Sequence, residues 1–348
     1  MYITDLKTIS PQNTYNNELL AGEVRVIEDK VYHAIEPNYL SFIPKGLLRR
    51  MGKAVRMGVG TGLPLVQKHN DIEGILIGTA NGGLEDCIKF LNQIVEYEEG
   101  VLTPTNFVQS TPNAVAGQLA LMGSNRGYNT TYTNGGLSFE STLLDSFLLF
   151  EEGKHQKLLI GGLEEISSYN YNIDSLANKY KDEIISSDKL INSRTKGTIC
   201  GEGASLFIVE KDAKDYYAQI IDVAQITYPT EDDLGKLLTE FLAKNKIKAS
   251  SIDSVMLGYN GDLRHNKWYE YVDMNFFSNA NILGFKNLIG DFRTSSAFAT
   301  WLSAHILNGT YKDEQTVLLR HSNNHPKKKI LIYNHFDEVR HSFILLSK

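Results

Sequence analysis

Cysteine is scarce: Cys87 and Cys200 are the only two in 348 residues, and they form no CxxC pair. That argues against a disulfide framework and against a thiolate metal site. Long apolar runs are missing as well. No segment approaches the roughly 20 apolar residues of a spanning helix, and the opening MYITDLKTIS has no stretch of signal-peptide length. The expectation is a soluble, cytoplasmic chain without membrane insertion. Nor is charge of one sign ever blocked. Lys and Arg number 35 against 41 Asp and Glu, a net charge of −6 spread along the chain. A mildly acidic surface repels phosphate backbones, so nucleic acid is not an expected partner. The one basic run, Lys327-Lys328-Lys329, precedes a strand-like segment and reads as an exposed loop.

What is present is a large apolar fraction, 42%, ample for a sizeable core. Short β-rich runs alternate with helical periodicity, the signature of α/β architecture. In the first half, 72–79, 129–133, 157–162 and 204–210 read as strands, and 84–95 and 137–152 as helices. In the second, 217–228, Ser254–Leu257, 329–333 and 342–346 read as strands, with helices over 232–243 and Ser295–Leu307. Two successive units of strand, Gly-rich turn, helix and strand suggest a duplicated βαβ arrangement, without a residue-level repeat. The polar stretch 167–193 reads as an excursion from the core. No low-complexity linker splits the chain, so halves 1–212 and 213–348 are expected to share one compact body.

Several motifs occur in a fixed order. LTPTNFVQSTPNAVAGQLALMG, residues 102–123, is followed by Gly153 and LLIGGLE at 158–164. Then come GEGASLFIVE at 201–210, KNLIGDFRTSSA at 286–297, and Phe336 ahead of the final strand. Together these resemble the β-ketoacyl synthases, in which a Pro-Thr-x-Phe turn, a Gly-Glu-Gly-Ala strand, a Lys-x-x-x-Gly-His segment and a Gly-Phe-Gly-Gly gate stand in the same order. The resemblance runs nearly full length, and the Gly-Glu-Gly-Ala strand is its most specific part. It implies a thiolase-like fold, two βαβαβ halves forming a five-layered α-β-α-β-α core, with 129–133 and Ser254–Leu257 as central parallel strands.

The chemistry departs from the family. Decarboxylative condensation needs a thiolate to carry the acyl chain and two polar donors to stabilise enolate and oxyanion. The nucleophile belongs at a strand-to-helix elbow, where the helix N-terminus lowers a thiol pKa. Here the elbow reads Thr131-Tyr132-Thr133-Asn134-Gly135-Gly136. Counting back from Gly153 puts Gly136 at the cysteine position, and matching the threonine-rich strand end puts Thr133 there. The first histidine position holds Gly258 and the second Asp291, while Lys286 and Phe336 remain of the usual site. Neither cysteine substitutes, since both read as buried structural thiols.

Ordinary structural roles are available for each residue. Asp291 reads as the cap of a helix beginning near Phe292, or as the ion-pair partner of Lys286. Gly135, Gly136, Gly258 and Gly261 read as tight turns needing positive φ. Thr133, His335 and Asp291 form a formal hydroxyl–imidazole–carboxylate set, and His265, His335 and His341 lie near loops expected to approach the former site. His321 and His325 form the only HxxxH pair, without the Glu of HExxH, in a loop-like stretch. Gly58–Gly62 lies in a helical pattern without the GK[ST] ending of a phosphate cradle. No cofactor and no metal is expected.

The resemblance therefore implies a ketosynthase-like chain without its own condensing residues, similar to chain-length factors. Its implied partners are an active ketosynthase subunit or a second copy, and acyl carrier protein. Phe107, Tyr132 and Phe139 are candidates to line an acyl tunnel, with the helix from Asn113-Ala114 and the strand 129–133 at the interface. The other reading is a re-tooled acyltransferase or hydrolase acting on carrier-protein thioesters through Thr133, Asp291 and a loop histidine.

Overall fold

A computed structural model describes residues 1–102, 104–323 and 327–348. Thirteen strands are found among them: β1 (Tyr2–Ile9), β2 (Val31–Tyr32), β3 (Gly74–Gly78), β4 (Tyr128–Tyr132), β5 (Lys157–Glu164), β6 (Cys200–Gly201) and β7 (Gly203–Glu210). The later ones are β8 (Ala218–Thr227), β9 (Ser254–Leu257), β10 (Asn281–Gly284), β11 (Leu318–Arg320), β12 (Lys329–Phe336) and β13 (Arg340–Ser347). All but β2 and β6 join one sheet in the order β11-β10-β9-β12-β13-β8-β1-β7-β5-β3-β4.

Reading outward from the β1/β8 contact exposes the duplication. One side runs β1-β7-β5-β3-β4 and the other β8-β13-β12-β9-β10. On each side the first two pairings are antiparallel and the next two parallel. Within the sheet the two arms pair through Tyr2 and Ile3 against Gln219 and Ala218.

Strand periodicity then sorts side chains into layers. On the first arm, Leu76, Leu158, Ile160, Phe207 and Val209 face a central core, which Met256, Ile330, Ile332 and Ile344 enter from the second arm. The alternate residues Ile75, Ile77, Leu159, Leu206 and Ile208 pack outward against helix Lys53–Lys68. Likewise Val255, Leu257, Leu331 and Tyr333 pack outward with helices Glu231–Lys244 and Asn266–Phe276. Between the arms lie helices Ser138–Glu151 and Ser295–Leu307. All thirteen residues of the latter are buried. A helix that is buried all round needs apolar and small residues on every face, as this one has. The result is the five-layered thiolase-like architecture.

Three expectations need correction. The strand near 129–133 is parallel to β3, as expected, yet it is the outermost strand of the sheet rather than a central one. It ends at Tyr132, leaving Thr133 outside. The polar stretch 167–193 is not simply an excursion. It contains helix Ser168–Leu176, capped by Ser167 accepting from the Asn170 amide, and buries Lys181, Ser187 and Leu190. His325 of the HxxxH pair lies outside the described residues. No helix among the described residues is long and apolar enough to cross a membrane.

Candidate functional site

Gly136 follows β4 in a short turn that leads straight into helix Ser138–Glu151. Its φ is not positive, so backbone freedom does not explain the glycine. Space does. A Cβ built there would sit 2.4 Å from the Cβ of Phe336, the last residue of β12. Gly258 repeats the pattern: its Cβ would lie 2.1 Å from Asn334 Oδ1 and 2.8 Å from the Tyr269 hydroxyl. Only Gly135 and Gly261 have the positive φ, +56° and +79°, expected of all four.

Asp291 does not cap the helix that follows it, which begins at Ser295 with Thr294 at the N-cap position. Its backbone bonds into the extended segment at 199–201, the amide donating to the Ile199 carbonyl (2.8 Å) and the carbonyl accepting from Gly201 (3.1 Å). The carboxylate points inward. Oδ1 lies 2.8 Å from Lys286 Nζ, and Oδ2 accepts from Asn260 Nδ2 at 2.7 Å. Lys286 is completely buried. Its charge and that of Asp291 therefore answer each other in a buried setting.

Behind this pair stand the histidines expected near loops, although His335 lies within β12 and His341 within β13. His335 is buried, stacked on Tyr269 (centroids 4.5 Å apart), and its Nε2 reaches only the His265 carbonyl at 3.4 Å. Burial, with His341, Lys286 and His265 nearby, holds its pKa well below the usual histidine range. His341 is pushed down to about 4, chiefly by burial, and lies between the Tyr333 hydroxyl (2.9 Å) and the Glu338 carbonyl (3.0 Å). Thr133 is exposed. Among the described residues no hydrogen bond joins Thr133, His335 and Asp291, so the formal triad is not assembled.

Between Phe336 and Asp291 a cavity of about 40 Å³ remains, with Glu164, Asp174, Tyr180, Cys200 and Arg293 in its wall. That volume has room for a few water molecules and not for an acyl chain. Burial drives the Cys200 thiol up to about 12, the opposite of a nucleophile's requirement. Cys87 is half-buried on helix Leu84–Glu96, away from this cavity, rather than in the core. Burial also raises Glu164 to about 7, although the amides of Ala80 and Asn81 donate to it. That carboxylate pins the loop after β3. Glu202 of the Gly-Glu-Gly-Ala strand is equally structural, accepting from the Ala34 amide (3.0 Å), the Ile166 amide (2.8 Å) and Lys53 Nζ (2.6 Å).

With that geometry in place the relatives can be set beside it. Residues 27–177 match the family model described as the beta-ketoacyl synthase N-terminal domain. No curated protein matches the chain. A β-ketoacyl synthase from Burkholderia phymatum STM815 superposes over 100% of this chain and 98% of its own, at 15% identity and a TM-score of 0.79. The ishigamide ketosynthase/chain length factor does so over 100% and 98%, at 13% identity and 0.78. A ketosynthase in complex with its chain length factor from Xenorhabdus doucetiae gives 99%, 97%, 14% and 0.77.

The chain has the ketosynthase fold.

In this ketosynthase-like chain the candidate tunnel residues part company. Phe139 is fully buried in the central core against Phe207, whereas Phe107 is 57% exposed on helix Pro104–Gln109. Tyr132, half-buried, ends the outermost strand. Reading the sequence missed Asn334, Tyr269 and Asn260, which fill or bridge the site. Nothing local marks them, because each acts through a residue distant in the chain.

Proposed function

We propose that this chain is a non-condensing partner subunit of an active β-ketoacyl synthase, working as chain-length factors do in fatty-acid, polyketide or aryl-polyene assembly. The observation that carries the reading is the collision between Gly136 and Phe336: the position assigned to the nucleophile has no room even for a methyl group. With Gly258 filled by Asn334 and Tyr269, and Asp291 neutralised by Lys286, the positions assigned to the site hold neither a thiolate nor an oxyanion donor. On this reading Thr133, Gly136, Gly258 and Asp291 mark the lost site, and Lys286 and Phe336 are retained to fill it. The division into halves 1–212 and 213–348 belongs to the same proposal.

The partner's place is β4. Its sequence, Tyr-Asn-Thr-Thr-Tyr, carries no charge and no proline, the residues that ordinarily blunt a free edge. Beside it Asn113 accepts from the Thr131 hydroxyl, which ties the start of helix Ala114–Met122 to the edge. Strand addition there would build one continuous sheet through both subunits. Phe107, exposed near this flank, would then reach the partner and bound the space available to its acyl chain. Acyl carrier protein would deliver to the active subunit.

Co-expression with a cysteine-bearing ketosynthase from the same source tests the proposal. A 1:1 complex is expected, with product length shifted by Phe107→Ala. Elongation of a malonyl-primed substrate by the chain alone would overturn it.

A further inference from the structure

Helix Ser168–Leu176 is inside out. Of its nine residues only Asp174, an acid, is buried. Its apolar residues face away from the body, Ile173 at 59% and Leu176 at 76% exposure. Apolar burial therefore does not hold this helix down, as it holds the central helices Ser138–Glu151 and Ser295–Leu307. Charge does. The Asp174 carboxylate takes Arg293 (3.1 Å), Lys179 (3.1 Å) and the Tyr180 hydroxyl (3.3 Å). Lys179 continues to Asp337 (2.7 Å), and Lys179 and Arg293 stand 5.4 and 5.0 Å over the ring of Phe336. Tyr171, on the same helix, stacks on Tyr180 with centroids 5.1 Å apart, and Tyr180 lies over Cys200 at the cavity wall.

The ends of the segment are suited to hinging. Ser167 is extended, and Asn178, just past the helix, sits at φ 56°. Beyond it the chain is stitched down again, the Lys181 amide donating to Thr198 and its Nζ to the Gly261 carbonyl (2.8 Å).

We infer that helix Ser168–Leu176 is an electrostatically latched cover over the cavity behind Phe336, closed by Asp174 and released when that carboxylate loses its cations. Release uncovers Tyr180 and, behind it, Cys200 and Phe336. A segment with few buried apolar contacts belongs to the low-stability end of a fold and opens without global unfolding. Ion pairs that are partly solvated weaken as salt rises. The cover works whether or not the chain has a partner subunit, so the fate of the proposed complex does not decide it.

Cys200 supplies the readout. In a Cys87→Ala background, alkylation of Cys200 reports opening, and amide exchange of 169–177 reports the helix itself. Asp174→Asn is expected to raise both rates on the order of ten- to a hundredfold. In the chain that keeps Asp174, going from about 0.05 to about 0.5 M salt is expected to move them the same way. Exchange in Ser138–Glu151 and Ser295–Leu307 should not change. Rates unmoved by both the substitution and salt would overturn the latch. So would acceleration spread equally over the central helices, which would make the segment an integral part of the core.

Discussion

The surroundings of Gly136 and the flank around β4 lie in the same half of the chain and have been finished to opposite degrees. At Gly136 and Gly258 side chains from β12 occupy the volume a reactive group would need, and the buried Lys286–Asp291 pair absorbs the charge. On the flank, helix Leu84–Glu96 carries an apolar stripe through Leu84, Cys87, Ile88, Leu91 and Val95, yet only Asp86 of that helix is buried. Val95 is 79% exposed, and the neighbouring strand offers an unpaired, uncharged edge. A pocket filled from within beside a surface left open is the contrast on which the proposed partner role rests.

The largest expected effect comes from unbalancing the closed side. Lys286→Met strands the Asp291 carboxylate in a buried site and should destabilise the fold by about 3–5 kcal/mol in denaturant titrations. The double variant Lys286→Met/Asp291→Leu should recover most of that loss, because it removes the uncompensated charge. A double variant no better than the single would show that the pair does more than neutralise itself.

Next comes pH. Glu164 is raised by burial, so its neutral form is the one the fold prefers. Its contribution to stability is fully present below the unfolded carboxyl value and is lost as pH rises through about 7. The loss amounts to at most about 3 kcal/mol. Glu164→Gln should flatten the stability profile between roughly pH 4.5 and 7 relative to the parent chain. Parallel profiles for the two proteins would remove Glu164 as the cause.

Restoring the thiol should fail. Gly136→Cys forces Phe336 aside and is expected to cost about 1–3 kcal/mol by thermal or denaturant melting, with no condensation gained. Acquired turnover would reopen the closed side of the comparison. The smallest effect on stability belongs to the open side. Thr130→Lys places a charge on the free edge and should leave stability within about 0.5 kcal/mol. It should abolish co-purification with a ketosynthase. A complex that survives this substitution would move the partner away from β4.

Much of the fold was legible before any coordinates. Helix Ser295–Leu307 was read to the residue, because a segment apolar on all faces has no alternative place but the interior. Strands β5, β7, β8 and β12 were located by apolar runs. Strand β1 was not, since Asp5, Lys7 and a bulge between Ile3 and Asp5 interrupt its alternation. Helix Ser168–Leu176 escaped because its amphipathic pattern is reversed, with the acid inside. The candidate site was legible as an absence of cysteine and histidine at the assigned positions. What replaced them was not, because Phe336, Asn334 and Tyr269 come to Gly136 and Gly258 from elsewhere in the chain.

By itself the sequence determined the alternation of strands and helices, the ordered motifs of the family, and the lack of a thiol and imidazoles at the assigned positions. These are properties of residue type and spacing, which local sterics and periodic burial translate directly. The tertiary structure alone decided why two glycines must be glycine, which strand is left at the edge, and where the charge of Asp174 is answered. Such facts depend on volumes and charges brought together across the two arms, and no local pattern encodes a neighbour that is distant in the chain.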